Sequence, residues 1–306
     1  MAAPILVTGA AGEVGGIGRT LTQLLLERGH AVRALVRRED ERAEALRALG
    51  AEVVQGDLLD LHAMHRAIEG CERVYFGMSV SPSYLEATVN VAAVALHHRV
   101  QAFVNMSQMT VTQMGITDTT PSPQHKQHWL AEQALDWSGL PVVHVRPTVF
   151  LEGFFLRFAA PGIRRANELA LPMGLGRTSP ISAGDVARVV AEILHQPAPH
   201  IGQIYNLTGP QVGDLHFFAG EYSEALDRRI SYRDVDPQAW REQLQQWKLP
   251  THLLEHVTAM AQLNREGRYD RMTDDVQRLT GTPAISLREF VRGHAEEFSA
   301  RESLRS

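Results

Sequence analysis

Short apolar segments alternate with longer amphipathic segments through the first half of this 306-residue chain. The apolar segments have strand length and lie at 5–7, 31–36, 51–55, 73–76, 102–106 and 142–145. Between them, apolar positions recur at helical spacing over 19–28, 41–49, 61–68, 82–98 and 122–137. This alternation predicts an α/β fold with a doubly wound parallel sheet. The ligand crevice of such a sheet lies at the carboxyl ends of the strands, where the strand order reverses.

A glycine-rich loop joins the first predicted strand to the first predicted helix. Residues 9–18 contain five glycines, at positions 9, 12, 15, 16 and 18. Glycine lets the backbone turn tightly and approach a pyrophosphate, and the helix N-terminus that follows offers free N–H groups. The loop therefore predicts a dinucleotide site. Two triplets fit the phosphate turn, 9/12/15 and 12/15/18, and the first is favoured because Gly9 directly follows the strand.

The pattern of strands and helices loosens after residue 150. A helix capped by Ser182 is predicted over 185–194, and a further strand over 203–207. The chain from residue 212 onward is mostly helical, with one short strand at 230–235. We therefore predict a dinucleotide-binding domain over residues 1–150, to which 181–208 returns. Residues 151–180 and 209–306 would form a smaller, mostly helical C-terminal substrate domain.

The second strand ends at Arg37 and Arg38, which bears on the choice of nucleotide. An NAD site usually carries an acidic residue there, about 20 residues after the glycines, to bind the ribose hydroxyls. A guanidinium would instead bind a 2′-phosphate through charge-assisted hydrogen bonds. We therefore expect NADP, with NAD possible. In the alternative interpretation both arginines are solvated and pair with Glu39 and Asp40.

Composition excludes several classes of partner. The net charge of −5 provides no basic field for nucleic acid, and one cysteine without a Cys/His cluster predicts no metal. The chain has no run of roughly 18 apolar residues and no signal-peptide pattern at its start. We expect a cytoplasmic monomer or homodimer that acts on a small molecule, without a membrane or nucleic-acid partner.

Eight short motifs between residues 7 and 290 belong to one pattern. Along the chain they are Val7-Thr8-Gly9-Ala10-Ala11-Gly12-x-x-Gly15, Val32-Arg33-Ala34-Leu35-Val36-Arg37, Gly56-Asp57-Leu58, Val104-Asn105-Met106-Ser107, Glu132-x-x-Leu135-x-x-Ser138-Gly139-Leu140, Arg146-Pro147-Thr148-x-Phe150, Ile181-x-x-x-Asp185-Val186-Ala187 and Leu279-Thr280-Gly281-x-Pro283-x-x-Ser286-x-x-Glu289-Phe290. Together they resemble the NmrA-like branch of the atypical short-chain dehydrogenases/reductases. The resemblance implies an NAD(P)-binding Rossmann domain. Members of the family are either NAD(P)H-dependent reductases of quinones, dyes and related acceptors or regulators that sense nicotinamide nucleotides.

The resemblance also implies which residues contact the cofactor. They are Thr8, Gly9, Ala11, Gly12, Glu13, Val14, Gly15, Arg37, Asp57, Leu58, Gly77, Met78 and Pro147. For Asp57, an Asx turn is an equally good alternative. The family usually continues from its third glycine directly into Arg-x-Leu, whereas here Gly16-Ile17-Gly18 come before Arg19.

The residues with which typical short-chain dehydrogenases protonate their substrate are missing. Those enzymes use Tyr-x-x-x-Lys, and none of the six tyrosines here has a lysine four residues later. Counted back from Glu132, the two positions hold Gln124 and His128. We predict Ser107, at the end of its strand, and His128 as the catalytic residues, because a histidine pKa of about 6.5 suits proton donation. Alternatively, His128 is an ordinary histidine on a helix surface.

Quinones and cationic dyes accept hydride directly, because the charge produced is delocalised or neutralised in the product. Holding such an acceptor against the nicotinamide can supply much of the rate. We place the acceptor beside Ser79, Gln124, Phe150 and Phe155. The predicted function is an NADPH-dependent oxidoreductase of a quinone-like acceptor, and the alternative is an NAD(P)-binding redox sensor that acts through a protein partner.

Overall fold

The computed structural model of the chain describes residues 3–12 and 16–299. The strands of this part are β1 Ile5–Val7, β2 Val32–Val36, β3 Glu52–Gln55, β4 Arg73–Phe76, β5 Ala102–Met106, β6 Val142–Pro147, β7 Glu168–Leu171, β8 Ile204–Leu207 and β9 Ser231–Asp234. The α-helices are α1 Ile17–Glu27, α2 Glu41–Ala48, α3 Leu61–Ile68, α4 Tyr84–His97, α5 Pro123–Trp137, α6 Ala160–Ala166, α7 Ala183–His195, α8 Leu215–Leu226, α9 Pro237–Gln246, α10 Thr251–Arg265, α11 Asp275–Thr280, α12 Leu287–Gly293 and α13 Ala295–Phe298. A 3₁₀-helix, Met109–Gln113, follows β5, and a π-helix, Leu151–Phe158, lies between β6 and α6.

Seven parallel strands form the central sheet in the order β3-β2-β1-β4-β5-β6-β8. β1 lies between β2 and β4, with Ile5 opposite Val32 on one side and Arg73 on the other. The strand order therefore reverses between β1 and β4, which places the ligand crevice at their carboxyl ends. The predicted doubly wound α/β fold is confirmed.

Helices cover both faces of the central sheet. α1, α2 and α7 contribute to the apolar core on one face, which includes Leu21, Leu46 and Val190. α3, α4 and α5 contribute to the core on the opposite face, which includes Met64 and Leu135. The inner strands β1 and β5 are buried along their whole length, which explains why their sequences are mostly apolar, whereas the edge strand β3 is partly exposed.

A separate core lies in the C-terminal part of the chain, in residues 149–173 and 215–298. It is built mainly by helices around the two-stranded parallel sheet of β7 and β9. The sequence pattern predicts β9 but not β7. β7 has four residues and pairs with a strand more than 60 positions away, so no local pattern identifies it. The domain boundaries drawn above stay predictions.

No helix in residues 3–12 and 16–299 has the length and apolar character needed to cross a bilayer.

Candidate active site

The glycine-rich loop is shaped by close backbone contacts. Gly9 has φ +64°, and a Cβ there would lie 2.6 Å from the carbonyl oxygen of Gly77. The Gly12 N–H donates to the Gly9 carbonyl at 3.0 Å, which closes the turn. A Cβ on Gly18 would lie 2.6 Å from the Gly9 oxygen and 2.7 Å from Ala10 Cα, so α1 packs directly on the loop.

The third glycine of a dinucleotide fingerprint allows this close packing between helix and strand. Gly18, within the three-residue extension, packs in this way against Gly9 and Ala10. The choice between the two glycine triplets stays a prediction. The predicted contacts Glu13, Val14 and Gly15 lie outside the described residues.

Thr8 links the ends of β1 and β4, the two strands between which the strand order reverses. Its fully buried hydroxyl donates to the Gly77 carbonyl and accepts from the Gly77 N–H, both at 2.9 Å. Because both bonds are made within the protein, the Thr8 hydroxyl positions the loop and Gly77, and the prediction that it contacts the cofactor is not supported by this geometry.

The arginines after β2 do not pair with the neighbouring acids. Glu39 binds Arg47 at 2.7 Å, and Asp40 binds Arg42 at 2.6 Å. Arg37 and Arg38 are exposed, and within the described part of the chain neither guanidinium has an ion-pair partner. The alternative interpretation of these two arginines is therefore not what the structure shows.

Arg42 connects the start of α2 to the glycine loop. Its Nη1 donates to the Ala11 carbonyl at 3.2 Å, while its Nε and Nη2 bind the Asp40 carboxylate. Arg37 directly follows β2 and is exposed. After β3, Asp57 is exposed and its Oδ1 accepts from the Leu59 N–H at 3.0 Å, which is the Asx turn considered above. Leu58 and Met78 are half-buried against the core on that side of the sheet.

Two buried hydroxyls lie at the carboxyl ends of adjacent strands. Ser107 follows β5 and is 3% exposed, and Thr148 follows β6 and is 5% exposed. Neither Oγ has a hydrogen-bond partner among the described residues. Pro147, which ends β6, is paired with Leu207 on β8. A buried polar atom without a partner costs free energy, so these hydroxyls fit a bound cofactor or acceptor that would supply one.

Gln124 is used inside the protein. Its Oε1 accepts from the Ser81 N–H at 3.1 Å, and its Nε2 lies 3.3 Å from His128 Nε2. The side chain is 4% exposed and fastens the segment after β4, including exposed Ser79, to α5. One lone pair of the Gln124 oxygen is used in this contact, and the prediction that Gln124 also contacts substrate stays a prediction.

The surroundings of His128 disfavour the role of proton donor that the sequence suggests. Its ring packs on Tyr84 with centroids 4.2 Å apart. Burial, with a smaller contribution from His256, lowers the pKa of His128 to about 3. The ring is therefore neutral near pH 7 and has no proton to release there, although it can still form hydrogen bonds.

His128 belongs to a cluster of three histidines between α5 and α10. His125 and His256 pack edge to face with centroids 5.0 Å apart, and His256 Nδ1 lies 2.9 Å from Ser122 Oγ, the N-cap of α5. Burial lowers the pKa of His256 to about 4 and, together with the charges of His256, His128 and Arg268, the pKa of His125 to well below its usual value. The sequence shows His125 and His128 three residues apart on one helix, but it does not show that His256, from the distant helix α10, joins them.

The cluster predicts that stability decreases in mild acid. Each of these pKa values is lower in the folded protein than in the unfolded chain, so below about pH 6.5 the unfolded state binds more protons and the free energy of unfolding decreases. At pH 5 the loss is at most about 2 kcal/mol per histidine. Denaturant titration at pH 8 and pH 5 measures it. His128→Gln should reduce the difference, whereas the same change at exposed His62 should not. Equal stability at both pH values contradicts the prediction.

The two phenylalanines predicted at the acceptor differ in position. Phe155 is fully buried in the C-terminal core, 5.2 Å from the ring of Phe218, and its carbonyl accepts from the Tyr222 hydroxyl. It therefore cannot contact an acceptor, and that prediction is wrong. Phe150 is half-buried directly after β6 and bridges to Ile181, where it stays a candidate.

One group of side chains that could hold a metal ion is present among the described residues, away from this crevice. It comprises His65, His97 and His98, whose ligand atoms lie within 4.8 Å of one another. His65 and His97 lie in the last turns of α3 and α4, and His98 directly follows α4, near the amino-terminal edge of the sheet. The expectation of no metal stays a prediction, and it did not take this surface group into account.

A segment of the C-terminal part crosses the carboxyl edge of the sheet. This crossing segment comprises residues 268–273. At its start, Arg268 binds the side chain of Gln113, which lies in the 3₁₀-helix after β5. At the other end, the Thr273 N–H donates to Thr208 Oγ1 after β8 at 3.1 Å. Between them Tyr269 bridges to Thr178. The crossing segment thus forms a wall of the crevice that the sequence did not reveal.

Comparisons with known proteins agree with this architecture. A family model described as NAD(P)H-binding matches residues 9–197. The (4-alkanoyl-5-oxo-2,5-dihydrofuran-3-yl)methyl phosphate reductase of Streptomyces griseus is 32% identical over 96% of this chain and 99% of its own. NAD(P)H azoreductase of Xenophilus azovorans is 28% identical over 97% of this chain and 99% of its own. The structure of NmrA, a negative transcriptional regulator, in complex with NADP has a TM-score of 0.78 at 18% identity over 97% of both chains, which shows a shared fold.

Proposed function

The chain belongs to the NAD(P)H-binding family, in the NmrA-like branch of the atypical short-chain dehydrogenases/reductases, and is an NAD(P)H-dependent oxidoreductase; from this premise we propose that it transfers hydride from NADPH to a conjugated, quinone-like small molecule. The observation that carries the proposal is the pair of buried hydroxyls, Ser107 and Thr148, at adjacent strand ends, neither of which has a hydrogen-bond partner among the described residues.

The choice of NADPH rests on Arg37 and Arg38. Both guanidinium groups extend from the end of β2 without ion-pair partners among residues 3–12 and 16–299. A 2′-phosphate would give Arg37 the bidentate, charge-assisted hydrogen bonds that a ribose diol cannot. Gly9, Gly12 and Gly18 meanwhile bring the loop backbone and the start of α1 close together, as a pyrophosphate site requires.

The choice of a conjugated acceptor rests on the protonation chemistry. His128 is held neutral, and burial raises the pKa of Tyr84, which adjoins it and whose hydroxyl is bonded to the Met106 carbonyl. Bound NADPH would supply a hydride to an acceptor whose product spreads the charge, as a hydroquinone anion does. The Ser107 hydroxyl would donate a hydrogen bond to the developing oxyanion, and solvent would supply the final proton. Both relatives named above are called reductases of conjugated compounds, an azo group and a dihydrofuranone.

The test is NADPH oxidation, followed at 340 nm, against quinones, azo dyes, enones and simple aldehydes. We expect turnover of the first three classes and none of aldehydes, which need a proton donor. Tight NADPH binding without turnover of any acceptor would contradict the proposal and favour the redox sensor. Fast aldehyde reduction would show that a proton donor is present after all.

Ser107→Ala should lower kcat/KM for a quinone about tenfold, the contribution of about one hydrogen bond to a developing charge. The dissociation constant for NADPH should change less than about twofold, because the loop contacts are untouched. Steady-state kinetics and fluorescence titration measure the two effects. Ser231→Ala, at an exposed position on β9, is the control and should leave both unchanged. A Ser107→Ala variant with the wild-type rate would exclude Ser107 from the reaction.

A further inference from the structure

Two arginines of the crossing segment lie side by side without a counter-charge. Arg268 and Arg271 are both half-buried. Arg268 donates to the side chain and, at 3.4 Å, to the carbonyl of Gln113, and Arg271 donates to Thr112 Oγ1. These partners are neutral. Within the described ranges neither guanidinium forms an ion pair.

Three nearby arginines, in contrast, form ion pairs. Arg177 pairs with Asp270 at 3.3 Å, and Arg265 pairs with Asp234 at 2.8 Å. Arg278 likewise pairs with Asp275. Arginines around the crossing segment thus have acidic partners, one of which, Asp270, lies in the segment itself, whereas Arg268 and Arg271 have none among the described residues. Half-buried cations without an anion are costly, so this arrangement is typical of a site that receives an anion.

The electrostatics of nearby groups agree with an excess of positive charge. Burial and then the charge of Arg268 lower the pKa of Arg271. Arg268 also contributes to lowering the pKa of His125 on α5, after burial and the other histidines. The positive field of Arg268 therefore extends from Arg271 to the α5 side of the crevice.

The pair is attached to the segment that follows β5 at the carboxyl edge of the sheet. Thr112 and Gln113 belong to the 3₁₀-helix that follows β5, only a few residues after Ser107. The segment then continues to Thr208, after β8, and so passes the end of β6 with Thr148. Arg37 lies at the other end of the sheet order, after β2, so the two arginine sites are separated by β1, β4 and β5.

We propose that Arg268 and Arg271 form an anion subsite that binds an oxyanion group of the acceptor, of the phosphate, sulfonate or carboxylate class. Two guanidinium groups present planar sets of donors that match the paired oxygens of such a group. The inference rests on the proposed function, which it deepens by specifying that the acceptor is conjugated at one end and anionic at the other.

The test compares a charged and a neutral acceptor of the same skeleton. The probes are 1,2-naphthoquinone-4-sulfonate and 1,2-naphthoquinone, and the readout is the ratio of their kcat/KM values. Arg271→Gln and Arg268→Gln should each lower this ratio about tenfold, the loss of about one charge-assisted interaction. Arg271→Lys, which keeps the charge, should retain part of the preference. Arg66→Gln, an exposed position on α3, should leave the ratio unchanged. An unchanged ratio in both glutamine variants, with turnover intact, would overturn the subsite and leave the proposed function standing.

If neither quinone is reduced, the proposed function is contradicted. A binding experiment then tests the anion subsite by itself. The sulfonate is then titrated into NADP⁺-saturated protein by calorimetry. Binding that weakens about tenfold in Arg271→Gln, and that weakens with added salt, supports the subsite on its own. Absence of binding, or equal binding by wild type and Arg271→Gln, overturns it.

Discussion

Replacing Gly18 with alanine should both destabilise the protein and weaken NADPH binding. The added Cβ would lie within 3 Å of three backbone atoms, of Gly9 and Ala10, which cannot rotate away. Alanine gains about 1 kcal/mol of helix propensity over glycine, but overpacking against backbone costs about 1–3 kcal/mol and displaces the phosphate loop. We expect a lower midpoint in denaturant and NADPH affinity reduced at least about tenfold, measured by fluorescence titration.

The matched control is Gly220→Ala. Gly220 lies in the middle of α8, and a Cβ there would meet no atom within 4 Å. Only the propensity gain applies, so this variant should be as stable as wild type or more stable by up to about 1 kcal/mol. If Gly18→Ala behaved like Gly220→Ala, the close packing of α1 on the loop would not exist in solution.

Replacing Arg37 with aspartate should shift the binding preference from NADPH towards NADH. The change removes charge-assisted bonds to a 2′-phosphate and adds a repulsive charge, together on the order of 3 kcal/mol or about 100-fold in the dissociation constant for NADPH. NADH binding should change less than about threefold, because a carboxylate can accept from the ribose hydroxyls. Parallel titrations with NADPH and NADH measure the difference.

Arg66→Asp provides the charge-matched control for Arg37→Asp. Arg66 is an exposed residue near the end of α3, away from the carboxyl edge of the sheet. It should leave both dissociation constants unchanged apart from small long-range effects. Equal weakening of NADPH and NADH by Arg37→Asp would refute the assignment of the 2′-phosphate to this residue, and the general loss would then indicate damage to the loop beside Ala11.

Several predictions from the sequence were reliable because their signals are local. The strands of the central sheet are short segments in which apolar residues predominate or, in β3, form the centre, and most of the helices that cover the sheet show their period within one or two turns. The N-cap of α7 illustrates this, because Ser182 accepts from the Asp185 N–H at 3.0 Å as the pattern indicates. The glycine loop is equally local, since five glycines follow the first strand directly.

The sequence could not show which way a side chain faces and what it meets. Phe155 follows β6 closely in sequence, but the π-helix carries it into the C-terminal core. Gln124 lies on the expected helix, and its carbonyl accepts from the Ser81 N–H. His128 has an ordinary sequence context, and burial, with a smaller contribution from His256 on α10, lowers its pKa. These outcomes depend on partners from other elements.

The sequence by itself determined that this chain forms a doubly wound sheet with a dinucleotide loop at its first strand, because strand length, helical period and glycine content are properties of consecutive residues. Only the tertiary structure decided which glycine packs against the loop, which hydroxyls stay without partners and which arginines stay without counter-charges. Those properties depend on contacts between residues far apart in the chain, such as Gly18 with Gly9, Thr8 with Gly77, and Arg268 with Gln113. Burial and the distances between charges exist only once the chain is folded.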